Sequence, residues 1–222
     1  MDALRNYVAQ LEMETHRTKE DFIPDGDLSK LPWLDASRVS FDTSYFPEIR
    51  YPEVRTEVRS VWSPSSIYFA FRCPYETLNV YHNEDPLPER WELWRRDVAE
   101  IFINPYPERM RHYWEFEVAP NNQWIDLEID LDREPFHDAG WDSGFLHATS
   151  IDIENKVWSC ELRIPVSCFG LESIAAGDTW RVNFFRCDGP GNDHERRFLA
   201  WSPTGKRNFH VPERFGRLVF RS

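Results

Sequence analysis

Glu100 is the residue most at odds with its surroundings. It lies in the run 91–104, WELWRRDVAEIFIN, between Ala99 and Ile101 in an otherwise apolar strand pattern. A carboxylate placed there loses hydration and needs compensating partners. Two readings compete. In one, Glu100 pairs with an arginine of a neighbouring strand, with Arg186 as the candidate. In the other, it accepts hydrogen bonds from a ligand on the floor of a groove. Trp94 precedes it in a loop and has the same two options: it plugs the core edge, or it offers a ring face to a ligand.

Other residues invite weaker chemistry. Asp25 and Asp27 flank Gly26, an oxygen-rich arrangement that suits calcium; Pro24, Asp25 and Gly26 equally make a plain turn. Asp126, Glu128 and Asp130 alternate along one strand and read as a solvated face. Met110, between Arg109 and Arg111, reads as an exposed loop methionine rather than a haem ligand. There is no GxSxG elbow, P-loop, GxGxxG after a strand, HExxH or EF-hand loop. Any two of the 38 acidic residues could meet as a glycosidase pair, but no spacing singles one out. The sequence is therefore not read as that of an enzyme.

Composition narrows the partners. With 26 basic and 38 acidic residues the net charge is -12. Nucleic acid and anionic membrane surfaces are excluded, since both need a basic face. No apolar run approaches a membrane span and no signal peptide is visible. The chain reads as cytoplasmic as written, and as extracytoplasmic if a leader has been removed. Cys73, Cys160 and Cys187 lie in apolar runs, and with Cys168 they read as reduced thiols; one disulfide is the alternative.

The elements that must position these residues are strands. Residues 112–118, 124–130 and 157–164 alternate apolar and polar with period two, the mark of half-buried strands facing core on one side and water on the other. Residues 66–72, 97–104 and 180–187 are apolar on both faces, so they read as central strands whose second face is covered or lines a groove. Further strands fit 37–41, 54–62, 145–151, 197–201 and 217–221. Residues 2–16 fit an amphipathic helix or a leading strand, and 165–170 a single helical turn. Sixteen Pro against nine Gly suits short strands and turns. The pattern predicts one all-β domain over 1–222, an antiparallel β-sandwich of about ten or more strands with little helix. Long loops at 74–96, 131–144, 188–196 and 202–213 carry Trp, Phe, Asp, Asn, Arg and His, the residue types of a polar ligand site.

The spacing W-x-x-D-x-x-E-[IV]-F resembles the family 9 carbohydrate-binding modules and the related DOMON-like sandwiches. PDGDLSKLPW (24–33), SIYFAFRC (66–73), WRVNFFRCDG (180–189) and LAWSPTGKRNFHVPERFGRLVF (199–220) resemble further pieces of that pattern, in order along the chain. The resemblance implies non-catalytic binding of a mono- or oligosaccharide between aromatic rings, with no required cofactor. It also implies a possible structural calcium at Asp25 and Asp27, and glycoside hydrolases as partners. Carried over position by position, it implies that Trp94 stacks on a sugar, Glu100 accepts from its hydroxyls and Phe209 closes the other face. The family's polar ring is rewritten here: an arginine position falls near Glu117 and a glutamine position at Phe185. Arg186, Asn183 and Lys206 are the candidate replacement donors. The alternatives are a structural or protein-interaction sandwich that has lost the sugar site and, more remotely, a haem- or other small-molecule-binding relative.

Overall fold

The computed structural model describes residues 11–82, 85, 86 and 88–222. The described chain forms thirteen strands: β1 (Glu12–Arg17), β2 (Ser37–Phe41), β3 (Thr56–Trp62), β4 (Ser66–Pro74), β5 (Val98–Asn104), β6 (His112–Val118), β7 (Trp124–Asp130), β8 (His137–Asp138), β9 (Leu146–Asp152), β10 (Val157–Pro165), β11 (Thr179–Asp188), β12 (Arg197–Ala200) and β13 (Gly216–Arg221). The α-helix among the described residues is the four-residue turn Leu31–Leu34. A 3-10 turn over Val166–Phe169 occupies the helical position expected near residue 167 and ends on left-handed Gly170.

All thirteen strands join one hydrogen-bonded sheet in the order β8-β7-β6-β5-β11-β13-β1-β3-β4-β10-β9, with β12 on β11 and β2 on β3. The sheet curls on itself, so β5, β6, β11 and β13 pack against β3, β4 and β10. Phe184 of β11 meets Phe69 and Phe71 of β4 at ring-centroid distances of 5.5 and 6.0 Å. Ile101, Ile103, Trp114, Phe116, Trp158 and Leu162 fill the same interior. Edge-to-face aromatic contacts of this kind add to the area they bury.

The expected all-antiparallel sheet is corrected at one place. β1 runs parallel to both β13 and β3, and so seams the two halves of the sandwich. Met13 and Thr15 point inward from it. Of the two options for residues 2–16, the described part takes the strand; residues 1–10 lie outside the described residues.

A close approach explains the chain's end. Trp201 lies over the backbone of Gly216, where an added Cβ would sit 2.4 Å from its ring. Only glycine lets that indole seat against β13.

Candidate functional site

The reading of β6 as a strand with one wet face is overturned. Trp114 and Phe116 face the interior, while Tyr113, Glu115 and Glu117 face a second apolar cluster and are themselves buried. β-pairing puts Glu117 opposite Glu100 and Glu115 opposite Phe102 on β5; Glu115 also faces Leu127 on β7. The cover comes from loops distant in sequence, around residues 91–94 and 207–210. The acidic face of β7 is corrected at one residue: Asp126 is buried, accepting hydrogen bonds from the Ser143 amide (3.0 Å) and hydroxyl, while Glu128 and Asp130 are half-buried.

Between floor and cover lies a pocket of about 820 Å³, within the range of small-ligand sites. Glu100, Phe102, Glu115, Leu127 and Cys187 line its base; Trp91, Trp94, Tyr45, His137 and Phe209 line its walls. Trp94 is half-buried and meets Trp91 edge-on at 5.0 Å. Phe209 is 9% exposed and stacks on Phe185 at 4.0 Å. One of its faces is therefore already covered.

The loop bearing Trp94 is anchored by two buried charged residues. Asp97, the acid of the motif, accepts from the amides of Asn79 (2.9 Å) and Gly189 (2.8 Å), clipping three loops together. Arg196 donates to the carbonyls of Trp94 (3.0 Å), Arg96 (2.6 Å) and Gly189 (3.3 Å). Sequence reasoning missed Arg196 as well as Trp91, Tyr45, His137 and His210; the only signal for them was the polar, aromatic composition of the long loops.

The floor is electrostatically unusual. One oxygen each of Glu100, Glu115 and Glu117 lie within 4.8 Å of one another. Burial, then the neighbouring Glu115, push Glu100 up to about 8; burial pushes Glu115 up to about 7, and burial and both neighbours drive Glu117 well above the usual carboxylate range. Cys187 Sγ donates to Glu100 Oε1 at 3.1 Å. His210 is pushed down to about 4 by burial and by nearby His137, so its ring is neutral, in hydrogen-bond contact with Tyr113 Oη at 2.7 Å.

Trp94, Glu100 and Phe209 thus line one pocket, and the three expected donors do not. Arg186 points to the opposite face of β11. There it is fully buried, donating to Val54 O (3.2 Å), Thr56 Oγ1 (3.2 Å) and Asp188 Oδ1. It is neither a rim donor nor the partner of Glu100, because side chains of a strand alternate between faces. Asn183 is buried, with its amide spent on Ser202 O and on the amides of Phe184 and Ser202. Lys206 is exposed and lies outside the pocket lining, which takes Arg207 and Asn208 instead.

The Asp25–Asp27 turn is organised around buried Glu161. Glu161 Oε2 accepts from the amides of Asp25 (2.8 Å) and Gly26 (2.6 Å). Lys30 Nζ sits 2.7 Å from both Asp25 Oδ1 and Glu161 Oε1. Gly26 has φ +83°, and a Cβ there would meet Thr149 backbone at 2.9 Å. The residues fit calcium poorly, because the lysine's ammonium already bridges the two carboxylates.

Fold and pocket together define a curled β-sandwich with an aromatic-walled cleft on the outer face of one half. Residues 25–222 match the model of the carbohydrate family 9 binding domain-like family, and the chain belongs to that family. A solved structure from Bacteroides uniformis is similar at 19% identity and a TM-score of 0.75, covering 95% of this chain and 99% of that one. A family 9 carbohydrate-binding module from Caldicellulosiruptor kristjanssonii, solved with cellotriose, is similar at 15% identity and a TM-score of 0.69, over 96% and 94%. A curated relative, "Extracellular protein" of Arthroderma benhamiae, is 24% identical over 85% of this chain and 87% of its own length.

Proposed function

We propose that this chain is a non-catalytic carbohydrate-binding module that holds a mono- or oligosaccharide in the pocket over β5, β6 and β11. The observation that carries the reading is that a single cleft unites Trp94, Glu100 and Phe209, which lie on separate elements. A pyranose has apolar C–H faces and a polar equator. Trp94 supplies a ring face, and Glu100 supplies an acceptor at the floor. Phe209, backed by Phe185, closes the side of the cleft. Family membership supports the reading, as does the cellotriose held by the similar module. Glycoside hydrolases are the proposed partner class.

Titration calorimetry with glucose and cello-oligosaccharides on wild type and Trp94→Ala tests this. Losing the stacking ring is expected to weaken binding about 5- to 150-fold, the equivalent of roughly 1–3 kcal/mol by analogy with base stacking. Equal binding by a folded Trp94→Ala protein removes Trp94 from the site. No sugar binding by wild type at millimolar concentration favours a protein-interaction module instead.

A further inference from the structure

The neutral-sugar reading leaves the pocket floor unexplained. Hydroxyls donate hydrogen bonds but bring no charge, yet Glu100 and Glu115 both line this cleft and Glu117 lies against them. Glu115 is 3% exposed; Glu117, held protonated, shares a hydrogen bond with it, and no amide, hydroxyl or cation among the described residues reaches Glu115 Oε2 or either oxygen of Glu117. The ion pairs among the described residues involve none of the three acids. Arg196 is the cation whose charge reaches Glu100, and its guanidinium is committed to three backbone carbonyls and lies 3.9 Å from Asp193. At the mouth, Arg95 is paired with Glu92 at 2.7 Å, and the exposed Arg207 also lines the cleft.

We infer that the pocket selects a sugar carrying a protonated amine, with the ring against Trp94 and the ammonium on Glu100 and Glu115. This inference rests on the sugar-binding reading and deepens it. An ammonium offers three donors and a compensating charge, which suits two closely spaced carboxylate acceptors. A neutral hydroxyl at the same place leaves the acids uncompensated, and sites with buried polar groups discriminate strongly against ligands that leave them unpaired. A uronic acid is repelled by the floor. Burial that holds the acids partly protonated in the empty pocket adds a signature: ammonium binding expels protons, and glucose binding does not.

The test is calorimetry near neutral pH, with glucosamine, glucose and N-acetylglucosamine as probes, in two buffers of different ionisation enthalpy. Glucosamine is expected to bind about 10-fold tighter or better than the two neutral sugars, as a charged hydrogen bond implies, and to release protons. The preference for glucosamine over glucose is expected to collapse in Glu115→Gln. Glu117→Gln provides a second variant should Glu115→Gln misfold, with the preference reduced.

Glucose binding as tightly as glucosamine overturns the amine selectivity and leaves the sugar module standing. An undiminished preference in both glutamine variants also overturns it. Binding of none of the three sugars removes the module reading and this inference together. Calcium or manganese binding alone, blocked by Glu115→Gln and competing with glucosamine, makes the floor a metal site and overturns the assignment.

Discussion

Two clusters of buried charge lie on opposite faces of the sheet where β6, β5 and β11 run side by side, and they are built differently. On the interior face, Arg186 and Arg197 hold Asp188 between them; Arg197 Nη2 lies 2.6 Å from Asp188, and its Nη1 reaches Glu53 and Glu76. On the outer face, Glu100, Glu115 and Glu117 stand together with no ion pair among the described residues. Opposite charges in one buried network hold strands in place; like charges in one cleft weaken the empty fold and favour whatever neutralises them. The first cluster is read as structure and the second as a site kept open at some cost in stability.

Breaking the matched cluster should have the largest effect. Arg186→Met strips Asp188 of a fully buried partner, with an expected cost of about 3 kcal/mol or more, or roughly 6–12 °C in melting temperature for a chain of this size. The loss should show near pH 5 and pH 8 alike, read by calorimetric melts. A wild-type melt would mean the network carries no stability.

The unmatched cluster should respond in the opposite sense, and only at high pH. A carboxylate whose folded pKa is raised contributes stability below its unfolded value and loses it as pH rises through the folded value. Glu100 moves from 4.5 to about 8 and Glu115 from 4.5 to about 7. The empty protein should therefore weaken between about pH 4.5 and 8. Glu117→Gln should raise the melting temperature near pH 8 by about 2–8 °C, for roughly 1–2 kcal/mol regained, and leave it unchanged near pH 5. A variant less stable at both pH values would show that Glu117 is a satisfied structural acid.

Smaller effects sharpen the boundary of the site. Lys206→Ala should alter sugar affinity by less than about 2-fold, the scale of an exposed contact, because Lys206 lies outside the lining; a larger loss in titration would bring the loop tip into the site. Chelator should shift the wild-type melt by less than about 1 °C, since Lys30 supplies the cation at the Asp25–Asp27 turn. A calcium-dependent rise would place an ion there.

Strand positions were largely legible because alternation and two-sided apolar runs are local signals. The strands expected at 112–118 and 124–130 stand as His112–Val118 and Trp124–Asp130. What covers each face was not legible. Glu115 and Glu117 read as wet because the loops that bury them come from about 20 residues before and 90 after in the chain. Arg186 was misplaced because spacing alone does not give the β5–β11 register, which sets Phe185, not Arg186, opposite Glu100. The parallel strand β1 was hidden because its pairing with β13 joins the two ends of the described chain. Trp94, Glu100 and Phe209 came from the family resemblance, and the structure brings them to one pocket.

The most direct measurement is a crystal structure of the protein soaked with glucosamine, and with glucose as the neutral control. The account predicts sugar density against the Trp94 indole, with the amine nitrogen within hydrogen-bond distance of Glu100 and Glu115. Sugar bound away from this cleft, for example in the smaller groove beside Glu76 and Arg197, with the Glu115 carboxylate still unpaired, would contradict it.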